Sequence, residues 1–131
     1  MIEENKAFIR EYFEAISGKP KPQAVVDKYI SNRDLDLKNH IIAFEESVPH
    51  YLMIIDDIIA EDDKVAVRFT IKGIHRNELF GQPGKGAKID IPSLVIYQVQ
   101  NRKIVNHWFM PDTLTMMQQI GAIPKQHMEA G

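Results

Sequence analysis

Apolar residues recur every three or four positions through the first third of the chain and at alternate positions through much of the rest. Phe8, Ile9, Tyr12, Phe13 and Ile16 form one stripe, opposed by Glu3, Glu4, Lys6, Arg10, Glu11 and Glu14, which predicts an amphipathic helix over 3–17. The early glutamates suit the positive end of the helix dipole. Gly18 is placed to stop this helix, and Pro20 and Pro22 forbid its continuation. A short second helix is predicted over 22–30, with Val25, Val26, Tyr29 and Ile30 inward. Leu37, Ile41, Phe44 and Val48 share one helical face and predict a third helix over 35–48, ended by Pro49.

The period then changes. Residues 51–60 read as a strand apolar on both faces, and Glu61-Asp62-Asp63 as a turn. Residues 64–75 alternate strictly, with Val65, Val67, Phe69 and Ile71 on one side and Ala66, Arg68, Thr70 and Lys72 on the other. A third strand is predicted over 88–99 and a fourth over 102–110, joined by a turn at Gln100-Asn101. The loop 81–86, rich in Gly and Pro, precedes the third strand, and Thr113–Gly121 reads as a closing helix. Helices followed by an antiparallel meander predict an α+β fold: a cone-shaped curled antiparallel β-sheet wrapped around N-terminal helices, enclosing an apolar pocket at its wide end. Strands 51–60 and 89–99 are apolar on both faces. One face wraps the interior and the other needs a cover, so a homodimer through the outer sheet face is expected.

Composition narrows the function. The 131 residues suit one domain, with a core over about 5–124 and a tail over 125–131. Sixteen basic and eighteen acidic residues leave a net charge of −2, interspersed as on a solvated surface, so no nucleic-acid partner is expected. No apolar run reaches the roughly 18 residues of a membrane span, and the acidic start has no signal-peptide core; no membrane association is expected, and the expected location is cytoplasmic. The absence of cysteine removes disulfides, zinc–thiolate sites and thiol nucleophiles. His40, His50 and His127 have no ligand spacing, so no metal is expected. The 81–86 loop is followed by a strand rather than a helix, which argues against nucleotide binding and for a turn at a pocket rim.

Four segments in register carry a family resemblance. They are Asp63-Lys64-Val65 through Gly73-Ile74-His75, the loop Gly81-Gln82-Pro83-Gly84-Lys85-Gly86, the strand Lys103-Ile104-Val105-Asn106-His107-Trp108 with Pro111-Asp112, and Gln118-Gln119-Ile120-Gly121. Over about 5–124 the chain resembles the SnoaL-like polyketide cyclases of the nuclear transport factor two-like superfamily. It departs at Ile74 and Asn77, where the family often has Thr and Gly. The resemblance implies cofactor-free intramolecular aldol cyclisation, with an aspartate at the end of the last strand as acid and base. The matching position is Asp112. The superfamily also hosts isomerases, epoxide hydrolases and proteins that only bind ligands.

The residues give each candidate two readings. In an apolar pocket Asp112 would be held above the usual carboxylate range and serve as a base; directly before a helix it is equally an N-cap. The residues alone favour the cap, and the resemblance favours the pocket. His75 shares the parity of Val67, Phe69 and Ile71, which points it to the apolar side, either to polarise a carbonyl or to orient Asp112. His107 and Trp108 face opposite sides of a regular strand. Counting by twos from Asp112 puts Met110 and Trp108 with it and His107 away, unless a bulge, for instance at Pro111, intervenes. Trp108, Phe69, Phe80, Met110 and Leu114 are expected as pocket walls, with Tyr97 and Ser93 as hydroxyl contacts for a small apolar molecule. The expected chemistry is proton transfer on a carbonyl by Asp112, aided by His75 or His107. A ketosteroid-isomerase-like reaction would add phenols from Tyr12, Tyr51 or Tyr97. Epoxide hydrolysis would need an arginine bridge that Arg68, on the polar face, does not provide. A binding or scaffold protein without turnover is the reading from another class.

Overall fold

In the computed structural model, which describes residues 2–124, helix α1 (Ile2–Ile16) buries the predicted stripe from Phe8 to Ile16. The tail over 125–131, with His127, lies outside the described residues. Helix α1 stops where expected: Gly18 takes a φ of 69°, and its amide donates to the Tyr51 carbonyl at 2.9 Å. Helix α2 (Gln23–Tyr29), a 3₁₀ turn (Asn32–Asp34) and helix α3 (Leu35–Ser47) follow. The predicted α3 face, Leu37, Ile41, Phe44 and Val48, is buried.

The sheet is the expected antiparallel meander, β1 (Leu52–Glu61), β2 (Lys64–His75), β3 (Ala87–Gln100) and β4 (Lys103–Pro111), paired in that order. Helix α4 (Thr113–Gln119) closes the described chain. The β3–β4 turn centres on Asn101 and Arg102, with φ of 52° and 56°, one residue later than predicted. Val65, Val67, Phe69 and Ile71 of β2 and Ile89, Ile91, Val95 and Tyr97 of β3 cover the inner face. Helix α1 crosses that face, setting Phe13 edge-on to Phe69 at 5.3 Å and Tyr12 edge-on to Tyr97 at 5.7 Å.

Two irregularities decide which side chains point inward. In β1 the register shifts between Ile55 and Asp57, so Asp56 is extra. This lets Met53 and Ile55 face inward before the shift and Ile58 after it, which explains a strand apolar on both sides. In β4, Val99 pairs with Ile104 and Gln98 with Asn106, leaving Val105 as the extra residue. Ile104 and Val105 are both buried. Beyond them the parity is inverted, because one inserted residue turns every later side chain to the other face.

Candidate functional site

The inverted parity builds one wall of an apolar cavity. His107, Phe109 and Pro111 of β4 face it, beside Phe69 and Ile71 of β2 and Ile91, Val95 and Tyr97 of β3. Tyr51 and Met53 close one side. Tyr12 of α1, four residues of α3 (Leu37, His40, Ile41 and Phe44) and Thr113 and Met116 of α4 complete it, with Phe80 at the rim. The cavity measures about 110 Å³, and among the described residues no lysine or arginine lines it.

Its polar focus is a pair of side chains from distant parts of the sequence. His107 Nδ1 lies 2.6 Å from Asp34 Oδ2, and both side chains are largely buried. The other Asp34 oxygen accepts the Leu37 amide at 3.1 Å, capping α3. The backbone brings the pair together. Ile30 bridges Ile104 in parallel, and the Ser31 amide donates to the Ile104 carbonyl at 2.8 Å, so the segment leading to Asp34 is tied to the start of β4. In the tautomer that carries its proton on Nδ1, His107 donates to Asp34 and leaves Nε2 as the ring nitrogen for a ligand.

Three phenols share the cavity. Burial pushes Tyr12, Tyr51 and Tyr97 above the ordinary tyrosine range, so each stays protonated and serves as a donor rather than a base. The Tyr12 hydroxyl is buried without a hydrogen bond of ordinary geometry, and Tyr97 is its main polar neighbour. Tyr51 is braced from behind by the buried Lys21 ammonium, 4.1 Å from the ring centroid; Lys21 in turn pairs with Glu45 at 2.7 Å. His40 stands at the rim between Phe44 and Phe109, with ring centroids 6.0 and 5.4 Å away. That enclosure, and then the nearby His107, hold its pKa below the usual histidine value.

Several expected positions differ. Asp112 is exposed and caps α4, accepting the Thr115 amide at 3.0 Å and the Thr115 hydroxyl at 2.7 Å. The hydroxyl and then the amide hold its carboxyl below the usual range, opposite to the expected rise. Trp108 and Met110 lie on the outer sheet face, 46% and 72% exposed, because of the Val105 bulge. A bulge does break the alternation, but near the strand start rather than at Pro111. Leu114 is exposed on α4, whose buried Met116 and exposed Thr113 line the cavity instead. His75 does face inward and is fully buried, but it does not line the cavity, and neither ring nitrogen has a hydrogen bond. It pairs with Ala87, six residues along β3 from Ser93, the partner of Pro111. Six residues of strand span about 20 Å, too far for His75 to orient Asp112. Ser93 is buried on the inner face, outside the cavity lining. Phe69, Phe80, Tyr97 and His107 do line the cavity.

Asp34 and His40 were missed. Each left a signal: Asp34 directly precedes the predicted third helix, as a cap does, and His40 falls three residues after Leu37 and four before Phe44. Neither signal names a partner. Among the described residues, no three His, Asp or Glu side chains converge as metal ligands, and no helix is long and apolar enough to cross a membrane.

A four-stranded curled sheet with helices over its inner face and an apolar cavity between them defines an α+β protein of the cone-shaped, pocket-bearing kind. The sequence model of the family described as SnoaL-like polyketide cyclase matches residues 33–120, more than half of the chain, and the chain belongs to that family. Among solved structures it is similar to AclR of Streptomyces galilaeus, provisionally described as a hydroxylase, at a TM-score of 0.87 and 19% identity over 99% of this chain and 88% of that one. It is similar to IdmH of Streptomyces antibioticus, provisionally described as a polyketide cyclase, at 0.76 and 20% over 90% and 99%. A SnoaL-like protein of Jannaschia is similar at 0.81 and 16% over 94% and 95%. At these identities the likeness establishes the fold alone. No curated protein matches the sequence.

Proposed function

We propose that this chain binds a small, uncharged, flat carbonyl compound in its cavity and moves a proton on it with His107, held by Asp34. The observation that carries this reading is the 2.6 Å contact from buried Asp34 to His107, which lines a mostly apolar cavity. Among the described residues no lysine or arginine lines the cavity to pair with a carboxylate or phosphate, which favours a neutral ligand. Aromatic walls favour a flat one.

In this mechanism His107 Nε2 takes a proton from the carbon next to the carbonyl, and Asp34 fixes the tautomer and compensates the charge of the imidazolium. The electron pair moves onto the carbonyl oxygen, and the protonated phenols of Tyr12, Tyr51 and Tyr97 are the available donors to the enolate. The enolate carbon then attacks a second carbonyl in the same molecule, which is aldol cyclisation, or is reprotonated elsewhere, which is isomerisation. His107 returns the proton in either case. The phenols support the isomerisation branch, since that chemistry wants donors separate from the base.

The test uses 2-tetralone in D₂O, with loss of the α-proton signal followed by NMR. Exchange above the buffer rate is expected, falling about 100-fold in His107→Gln and substantially in Asp34→Asn, and surviving in Asp112→Asn. Binding of 2-tetralone with no acceleration would leave a non-catalytic binding protein, the competing reading. We further propose a homodimer through the outer sheet face, where Ile59, Leu94, Ile96, Trp108 and Met110 are each at least 40% exposed.

A further inference from the structure

The cavity rim contains a residue in a conformation its side chain disfavours. Leu79 and Gln82 exchange backbone hydrogen bonds in both directions at 2.9 Å, so Phe80 and Gly81 are the central pair of a two-residue turn. Their φ values of 49° and 78° are both left-handed, as in a type I′ turn. The first central position of such a turn favours Asn, Asp or Gly, and this protein's β3–β4 turn does place Asn101 there. At the rim the position holds Phe80, a residue that is 60% exposed and so recovers little packing in return.

The mounting beneath the ring is firm. Ser47 Oγ donates to the Glu78 carbonyl at 2.6 Å, and Asn77 Nδ2 donates to the Glu46 carbonyl at 2.7 Å. The Arg76 and Asn77 amides both donate to the Ser47 carbonyl. The Glu78 carboxylate accepts the Gly81 amide across the turn. Gly84 packs so tightly on the Arg76 backbone that a Cβ there would overlap it. The turn is therefore fixed to the end of α3, and its Phe80 ring stands between the cavity and a surface groove, both of which also touch His40 and Phe44.

A left-handed aromatic held rigidly, exposed, and at a cavity mouth is strain placed where it can act on a ligand. We infer that Phe80 is a specificity-determining lid: its ring packs on the face of a flat neutral ligand whose carbonyl end meets His107, and it sets which ring sizes the cavity retains. This rests on the proposed function for the ligand class, but not on catalysis.

The experiment measures binding of 2-acetonaphthone and of the smaller acetophenone by NMR titration, and thermal unfolding without ligand, for wild type, Phe80→Asn and Phe80→Gly. Both substitutions suit a left-handed position. The expected result is a dissociation constant for 2-acetonaphthone raised about fivefold to tenfold, a smaller change for acetophenone, and an unchanged midpoint or one higher by about 2–4 °C. An unchanged constant for 2-acetonaphthone overturns the inference, as does failure of wild type to bind either ketone. A lower midpoint in both variants also overturns it, because the ring would then be a packing brace. Weakened binding in the variants, with no α-proton exchange on 2-tetralone by wild type, would remove the acid–base mechanism and leave the lid standing.

Discussion

The role proposed for His107 depends on what occupies its other nitrogen. Asp34 holds Nδ1 at 2.6 Å and caps α3 with its second oxygen, so one buried carboxylate sets both the ring orientation and the helix start. His40, a few residues along the same helix, carries a separate pH signature. Enclosure by Phe44 and Phe109, then the proximity of His107, hold its pKa below the ordinary 6.5. As pH falls below 6.5 the unfolded chain takes up the His40 proton before the folded one does, so stability declines until the folded group titrates too. Above 6.5 both states are neutral there and the contribution is complete. Urea unfolding between pH 7.5 and 5.5 should show a falling midpoint whose slope is shallower in His40→Gln. The effect is small because the ring is partly open to solvent, and an identical slope in the variant would remove this account.

At the level of elements, caps and bulges decide more than propensity does. The single inserted residue at Val105 gives β4 two consecutive buried side chains and then reverses its faces. Alternation counted back from Asp112 keeps Met110 and Trp108 together, and those two do share a side. It is the outer side, because the count was anchored on a pocket position that Asp112 does not hold. What Asp112 does is end the strand and start α4, through the Thr115 amide and hydroxyl. Asp112→Ala should therefore lower the thermal midpoint by about 2–5 °C while leaving α-proton exchange on 2-tetralone intact. Loss of exchange in a variant that remains folded would return Asp112 to the chemistry.

For the molecule as a whole, the outer sheet face is the unexplained surface. Trp108, Met110, Leu94, Ile96 and Ile59 surround one shallow groove across the four strands, with Arg68 and Asp57 paired at 3.2 Å beside it. A twofold contact would bury this face against its own copy. Sedimentation should give a dimer for the wild type and a folded monomer for a Leu94→Glu, Trp108→Glu double variant. A monomeric wild type at micromolar concentration would leave the face for another partner. The cavity lies on the opposite face of the sheet, so ketone binding should persist in the monomeric variant.

Periodicity is local, and the sequence by itself determined what depends on neighbours within a turn or two. The helix of Phe8 to Ile16, the strict alternation of β2, the stops at Gly18 and Pro49, and hence the α+β meander with an apolar interior were all legible in this way. Part of the cavity wall was legible for the same reason: Phe69 and Tyr97 lie on strands whose alternation runs unbroken. Only the tertiary structure decided the polar site. Asp34 and His107 are 73 residues apart in sequence, and their contact depends on a backbone bridge from Ile30 to Ile104 that no periodicity announces. A one-residue bulge leaves composition and hydrophobic pattern almost unchanged, yet it turns His107 inward and Trp108 outward. Burial could be read from the pattern; which buried polar groups meet could not, because that is set by register and packing between elements.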